Sequence, residues 1–201
     1  MTSHYLDCRL TVQREDYNFM FARLYKVAHS LIGKNPDANI GLSFPEYNNG
    51  RLGEILRFFA NEETLKQVKN SESLGVLQDC QIIKIADIHK TPNICSHVCF
   101  YRYRLTERLT PRYQKKRAKL FKAHLRKSGI NDVNEEDAQK RLEEFKVKVN
   151  EQQQYIQFTS SSNGFDYSLS IQKSDFIEKR EGKYNSFGLS YKNGATVPFG
   201  F

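Results

Sequence analysis

Apolar and polar residues alternate from His4 to Val12, placing Leu6, Cys8, Leu10 and Val12 on one side, the period of a half-buried strand. Phe21, Leu24, Ala28 and Leu31 then recur at helical spacing, and Gly33 predicts where that helix stops. Asn39 to Pro45 reads as a short strand closed by its proline, and Glu54 to Ala60 as another. Asn61 predicts an N-cap, with Glu62 and Glu63 in the first turn, where the helix dipole favours acids, and Leu65 and Val68 on the buried side. Cys80 to Ile88 is a fourth β-like run. The order β-α-β-β-α-β is the ferredoxin-like pattern, which many RNA-recognition modules share and which does not by itself fix a function.

The second half has a different texture. Thr110-Pro111 suits a helix start, because proline is pre-organised at the first helical position. Tyr113, Leu120, Phe121 and Leu125 give that helix an apolar side. Lys115, Lys119, Lys122 and Arg126 follow at steps of four, three and four and share another side, flanked by Arg112 and Lys116. Ser128-Gly129 ends the run. Asn134 predicts the cap of a further helix opened by Glu135, Glu136 and Asp137, with Ala138, Leu142, Phe145 and Val149 turned inward. After Gln152 the chain is β-like again, at Tyr155 to Thr159, Phe165 to Ile171 and a short end near Phe187. The expected fold is α+β: a ferredoxin-like (βαββαβ) domain over residues 1–96 and an α+β domain over 97–201 carrying the basic helix.

Charge sharpens this picture. The 201 residues carry a formal net charge of +8, yet Arg102 to Lys127 alone holds eleven Lys or Arg and one acid, Glu107. That stretch is +10 and the rest of the chain sums to −2, so the basicity is local and fits a binding surface better than a general solubility device. Cations on one helix side match the phosphates of a duplex or hairpin, whose neutralisation releases counterions. The alternative is a solvated helix face, but such faces usually mix signs. Ahead of the helix, the guanidinium forks of Arg102 and Arg104 suit guanine edges, with generic phosphate contact as the other use.

No apolar run approaches the ~20 residues of a membrane span. The N-terminus has no basic region followed by an apolar stretch, so no secretion signal is expected there. Four cysteines in a chain this long do not form a disulfide framework, and a reducing cytoplasm is the expected compartment. Cys95, His97 and Cys99 lack the paired CxxC spacing of a zinc knuckle and are read as structural. No cofactor is expected.

Several segments together resemble one family: His4-Tyr5-Leu6-Asp7, Ala28-His29, Ser43-Phe44-Pro45, Arg51-Leu52-Gly53-Glu54, Arg102 ahead of the basic helix, Ser160 to Gly164, Phe187-Gly188-Leu189-Ser190 and Val197-Pro198-Phe199. The chain is similar to subtype I-F (Csy-type) CRISPR-associated endoribonucleases, which cut precursor CRISPR RNA within its repeats. The resemblance covers nearly the whole chain and is weakest at residues 62–98 and 130–152. It implies a ferredoxin-like domain followed by one with an arginine-rich helix that docks in the major groove of the repeat stem-loop. It implies cleavage at the 3′ base of the stem, without metal, by attack of the RNA's own 2′-hydroxyl. The products are a 2′,3′-cyclic phosphate and a 5′-hydroxyl, and the enzyme keeps its CRISPR RNA. The implied partners are the repeat hairpin and the other subunits of a type I-F surveillance complex, with a monomer when free and no membrane. The alternative is a hairpin-binding subunit that does not cut.

The same resemblance assigns residues. His29 matches the catalytic histidine, and it is independently the best candidate: histidine is the side chain type suited to exchanging a proton near neutral pH, and this one sits at the edge of the helix's apolar face, with Tyr25 and Ile32 a turn away on each side. Ser160 matches the serine that contacts the reacting 2′-hydroxyl, with Ser162 in reserve, although a Ser/Asn/Gly cluster is also an ordinary turn. Tyr167 falls where an aromatic stacks beneath the terminal base pair, or else it is a strand residue. Phe187 stands where the family often has Tyr, so no hydroxyl is there to orient the imidazole. Lysine replaces arginine at several helix positions, which predicts more phosphate contact and less base reading.

Overall fold

The structure, a computed structural model, describes residues 3–93, 95–104, 155–159, 166–192 and 194–201. The first alternation forms strand β1 (His4–Leu10), with Leu6, Cys8 and Leu10 buried. Val12 lies beyond the strand. Helix α1 (Tyr17–Lys34) buries Phe21, Leu24, Tyr25, Ala28, Leu31 and Ile32. It runs through Gly33, the predicted stop, and ends at Asn35. There the Asn35 backbone N–H donates to the Ile32 carbonyl at 3.1 Å and its side-chain Nδ2 to the Leu31 carbonyl at 3.1 Å. Pro36 follows and cannot continue the helix, so the end signal is Asn-Pro rather than glycine.

A single 3-10 turn (Pro36–Ala38) leads into β2 (Gly41–Ser43), shorter than the predicted Asn39 to Pro45. β3 (Ile55–Ala60) follows, then α2 (Glu62–Lys69), whose Asn61 side chain accepts the Thr64 backbone N–H at 2.8 Å, as the capping pattern predicts. A second short helix, α3 (Glu72–Asp79), was not expected from the sequence. It has only two turns and buries Leu74 and Leu77, too few positions to register a period. β4 (Ile83–Lys90) completes a four-stranded sheet of order β2-β3-β1-β4, antiparallel at every pairing. Its register against β1 shifts between Leu6 and Cys8.

The remaining strands are β5 (Ser96–Val98), β6 (Phe100–Arg102), β7 (Tyr155–Thr159), β8 (Asp166–Lys173) and β9 (Val197–Phe199). β5 pairs with β9, and β6, β8 and β7 form a sheet in that order. The fold is thus α+β with antiparallel sheets. The expected short strand near Phe187 is a turn instead, and the last strand comes ten residues later. The chain clusters into two compact units, Met1–Arg102 with Gln154–Phe201, and Tyr103–Gln153. Long-range pairing places the last strands with the first hundred residues, which no local pattern announces.

That first unit shares one hydrophobic core. Phe100 meets Phe44 edge-on at 5.0 Å and Tyr47 at 5.7 Å, and Val98, Ile156, Leu169, Ile171, Leu189 and Val197 join Leu6, Phe58 and Leu65 in the same cluster. Each such side chain contributes about 1.5–3 kcal/mol through removal from water.

On the opposite side of the β1–β3 pair, Arg57 is 6% exposed and fully engaged. Its Nε donates to Asp7 Oδ1 at 2.6 Å, its Nη2 to Asp7 Oδ2 at 2.9 Å and its Nη1 to the Phe201 carbonyl at 3.1 Å. The Tyr5 and Phe201 rings, in edge contact with each other, pack against the guanidinium at 4.2 and 4.6 Å. Residues 182–189 are fastened across β2 in turn. Asn39, in the left-handed region at φ 48°, donates its Nδ2 to the Gly182 carbonyl and accepts the Tyr184 N–H. The Tyr184 ring lies where a Cβ on Gly41 would be, so only glycine fits there.

Candidate active site

α1 buries Tyr25, Ala28 and Ile32 and thereby holds His29 at the border of its buried face, partly exposed. Its Nδ1 lies 2.5 Å from the Ser186 carbonyl oxygen. A carbonyl only accepts, so Nδ1 carries the proton, and Nε2 is the nitrogen that can gain or lose one. Among the described residues Nε2 has no hydrogen-bond partner. The imidazole stacks on the Phe187 ring with centroids 4.5 Å apart and planes 5° from parallel. Arg102, at the end of β6, places its guanidinium carbon 5.7 Å from the centroid of the same Phe187 ring, within cation–π range. Three residues far apart in sequence are thus joined through one aromatic ring.

The turn bearing Ser186 and Phe187 is tightly specified. Asn185 opens it, and its carbonyl accepts the Gly188 N–H at 2.8 Å, closing a four-residue turn with asparagine first and glycine last, both favoured there. The Asn185 Oδ1 accepts the Phe187 N–H at 2.9 Å and the Leu189 N–H at 3.3 Å. Tyr25 donates its hydroxyl to the Phe187 carbonyl at 2.8 Å, and the Leu42 N–H donates to the Gly188 carbonyl at 2.8 Å. Gly188 has φ +68°, and a Cβ there would meet Leu42 Cγ at 2.5 Å and Ile32 Cδ1 at 2.9 Å. Nothing in the sequence assigns Asn185 or Ser186 a role, and Tyr25 is marked there only as a neighbour of His29. The Asn-Ser-Phe-Gly spacing is the local turn signal that marks the first two.

Residues 5–199 match the family model of the CRISPR-associated protein (Cas_Csy4). The chain belongs to this family. As a Csy4-type protein of the type I-F class, it is a CRISPR-associated RNA-processing protein, and the family implies interaction with CRISPR RNA. The family is known for endoribonuclease activity on CRISPR repeats.

Of the residues the Csy4 resemblance assigns, the structure brings together His29, Phe187 and Arg102. Arg104 is exposed. Tyr167 lies on β8, its backbone paired with that of Phe158 on β7. Ser160 and Ser162, and the basic-helix positions Arg112, Lys115, Lys116, Lys119, Lys122 and Arg126, lie outside the described residues, as does the predicted helix after Asn134. α1 packs against β7, and Ser160 is the next residue after that strand's last, Thr159.

Among the described residues no group of three or more His, Cys, Asp or Glu side chains converges as metal ligands would. Cys99 donates its thiol to the Tyr191 carbonyl, and Cys95 to that of Pro92. Partial burial first, then the Lys179 ammonium, lowers the His97 pKa. Burial, helped by the Asp7 charge, pushes the Cys8 thiol up to about 12, which keeps it a neutral core side chain. No helix among the described residues is long and apolar enough to cross a membrane.

Proposed function

We propose that the protein is an endoribonuclease that binds the CRISPR repeat stem-loop and cleaves precursor CRISPR RNA at the 3′ base of the stem. The 2′-hydroxyl attacks the adjacent phosphate: its oxygen bonds to phosphorus, its proton leaves, and the bond to the 5′-oxygen breaks as that oxygen takes up a proton. A 2′,3′-cyclic phosphate and a 5′-hydroxyl result, with no metal required, and the protein retains its product. His29 exchanges one of these protons through Nε2, and Ser160, or Ser162 beside it, contacts the 2′-hydroxyl. Tyr167 stacks on the end of the stem. Arg102 and Arg104 read base edges, and Arg112, Lys115, Lys116, Lys119, Lys122 and Arg126 grip phosphates.

The observation that carries this reading is the His29 geometry. One ring nitrogen is committed to a backbone carbonyl and the other is left for chemistry on a partly exposed ring. Phe187 lacks a hydroxyl, yet the imidazole already has its orienting acceptor in Ser186. The sheet order β2-β3-β1-β4, antiparallel throughout, with helices after β1 and β3, supports the expected ferredoxin-like arrangement of residues 1–96.

A second reading, a hairpin-binding subunit without cleavage, draws on the phenylalanine at position 187. Incubation with a repeat hairpin in EDTA separates the two. Cutting at the stem base that stops when the nucleotide before the scissile bond is 2′-deoxy supports the first. Tight binding without cutting supports the second. Preference for duplex DNA refutes both, and a strict need for a divalent metal refutes the mechanism.

A further inference from the structure

The peptide unit between Ser186 and Phe187 is a planar trans amide whose C=O and N–H point in opposite directions. Its two ends are spent on two side chains. The N–H donates to the Asn185 carboxamide oxygen at 2.9 Å, and the C=O accepts His29 Nδ1–H at 2.5 Å. Anchoring one end of a rigid plane aims the other. Hydrogen bonds in series also polarise one another, so the Asn185 contact strengthens the carbonyl as an acceptor.

We propose that Asn185 is a positioning residue for the reaction. Through the Ser186–Phe187 peptide it fixes the proton of neutral His29 on Nδ1 and so reserves Nε2 for proton exchange with the RNA. This rests on the reading of His29 as the proton-transfer group. The arrangement excludes one form of the ring, the neutral tautomer protonated only on Nε2, which would present a carbonyl oxygen with a bare nitrogen lone pair. The neutral Nδ1–H form and the doubly protonated form both keep the bond, so the ring can cycle between them without breaking its anchor. Tyr25 and Gly188 hold the same turn from its other side, through the Phe187 carbonyl and the close approach to Leu42 and Ile32. Phe187 itself then needs no hydroxyl. Its ring supplies a flat surface parallel to the imidazole, and the tautomer is set by backbone.

The test uses the full-length protein and three variants, Asn185→Ala, Asn185→Asp and His29→Ala. ¹⁵N NMR of the histidine ring nitrogens in the RNA-free protein at a pH where His29 is neutral should show Nδ1 protonated and Nε2 bare. In Asn185→Ala the Nε2–H form should appear. Single-turnover cleavage of a synthetic hairpin of the cognate CRISPR repeat should slow about tenfold or more, with hairpin affinity and melting temperature nearly unchanged. Asn185→Asp keeps an acceptor oxygen and a turn-opening side chain, and should restore both tautomer and rate. A wild-type spectrum with the proton on Nε2 overturns the proposal, as does an Asn185→Ala protein that keeps both tautomer and rate. Loss of rate only in step with lost affinity and melting temperature makes Asn185 merely structural and overturns it as well. Wild-type cleavage by His29→Ala refutes the catalytic reading of His29, and the proposal through that premise, whatever tautomer the spectrum shows.

Discussion

Two of the polar places where the chain's last twenty residues engage the first hundred, at Arg57 and at His29, are built to opposite ends. At Arg57 every nitrogen of a buried guanidinium has an acceptor, Asp7 twice and the Phe201 carbonyl once, and two aromatic rings pack against it. At His29 one nitrogen is bonded to the same C-terminal segment and the other has no partner among the described residues. A closed arrangement of this kind holds the fold and has nothing left to offer a ligand. The half-closed one leaves Nε2 without a partner among the described residues, which is what the proposed proton exchange requires. Both use tail backbone carbonyls as acceptors, which binds the tail's conformation to each site.

Substitutions should separate the two places. His29→Ala should have the largest effect, slowing cleavage about 10²–10⁴-fold while hairpin affinity and melting temperature stay near wild type. Single-turnover cleavage beside a filter-binding titration checks this, and an equal loss of affinity would show that His29 holds RNA rather than transferring protons. Asp7→Ala should do the reverse. Leaving a buried guanidinium without its carboxylate costs about 3–5 kcal/mol in urea unfolding, with cleavage per folded molecule unchanged. Gly188→Ala should fall between, because it strains a left-handed position and drives a methyl into Leu42 and Ile32. A loss of about 1–3 kcal/mol is expected, accompanied by slower cleavage as the Ser186 carbonyl moves. Stability lost with no change in rate would uncouple the turn from His29. Asn61→Ala, which removes the α2 cap and touches neither hydrogen-bond set, should cost about 1 kcal/mol on the same unfolding curve and leave the rate alone.

Much of this was written in local patterns. The alternation of Leu6, Cys8 and Leu10, the helical spacing of Phe21 to Leu31 and the Asn61 cap appear where the sequence places them, since each depends on neighbours within one element. The misses have local causes too. α3 is too short to show a period, and α1 passes its glycine because Asn35 and Pro36 supply a stronger stop. Near Phe187, a bulky aromatic in the middle of the Asn-Ser-Phe-Gly turn gives that turn the local look of a strand end.

The sequence alone determined the α+β class, the family and the choice of His29 as the residue to watch, because strand and helix periods, motif order and side-chain chemistry are properties of short stretches. It also located the basic segment. Only the tertiary structure decided that residues 182–189 cross β2, that Phe187 stacks on an imidazole 158 positions away, and that a backbone carbonyl takes Nδ1–H. These relations depend on which distant segments share a core. A carbonyl acceptor, present at every residue, leaves no mark in the sequence until folding gives it a direction.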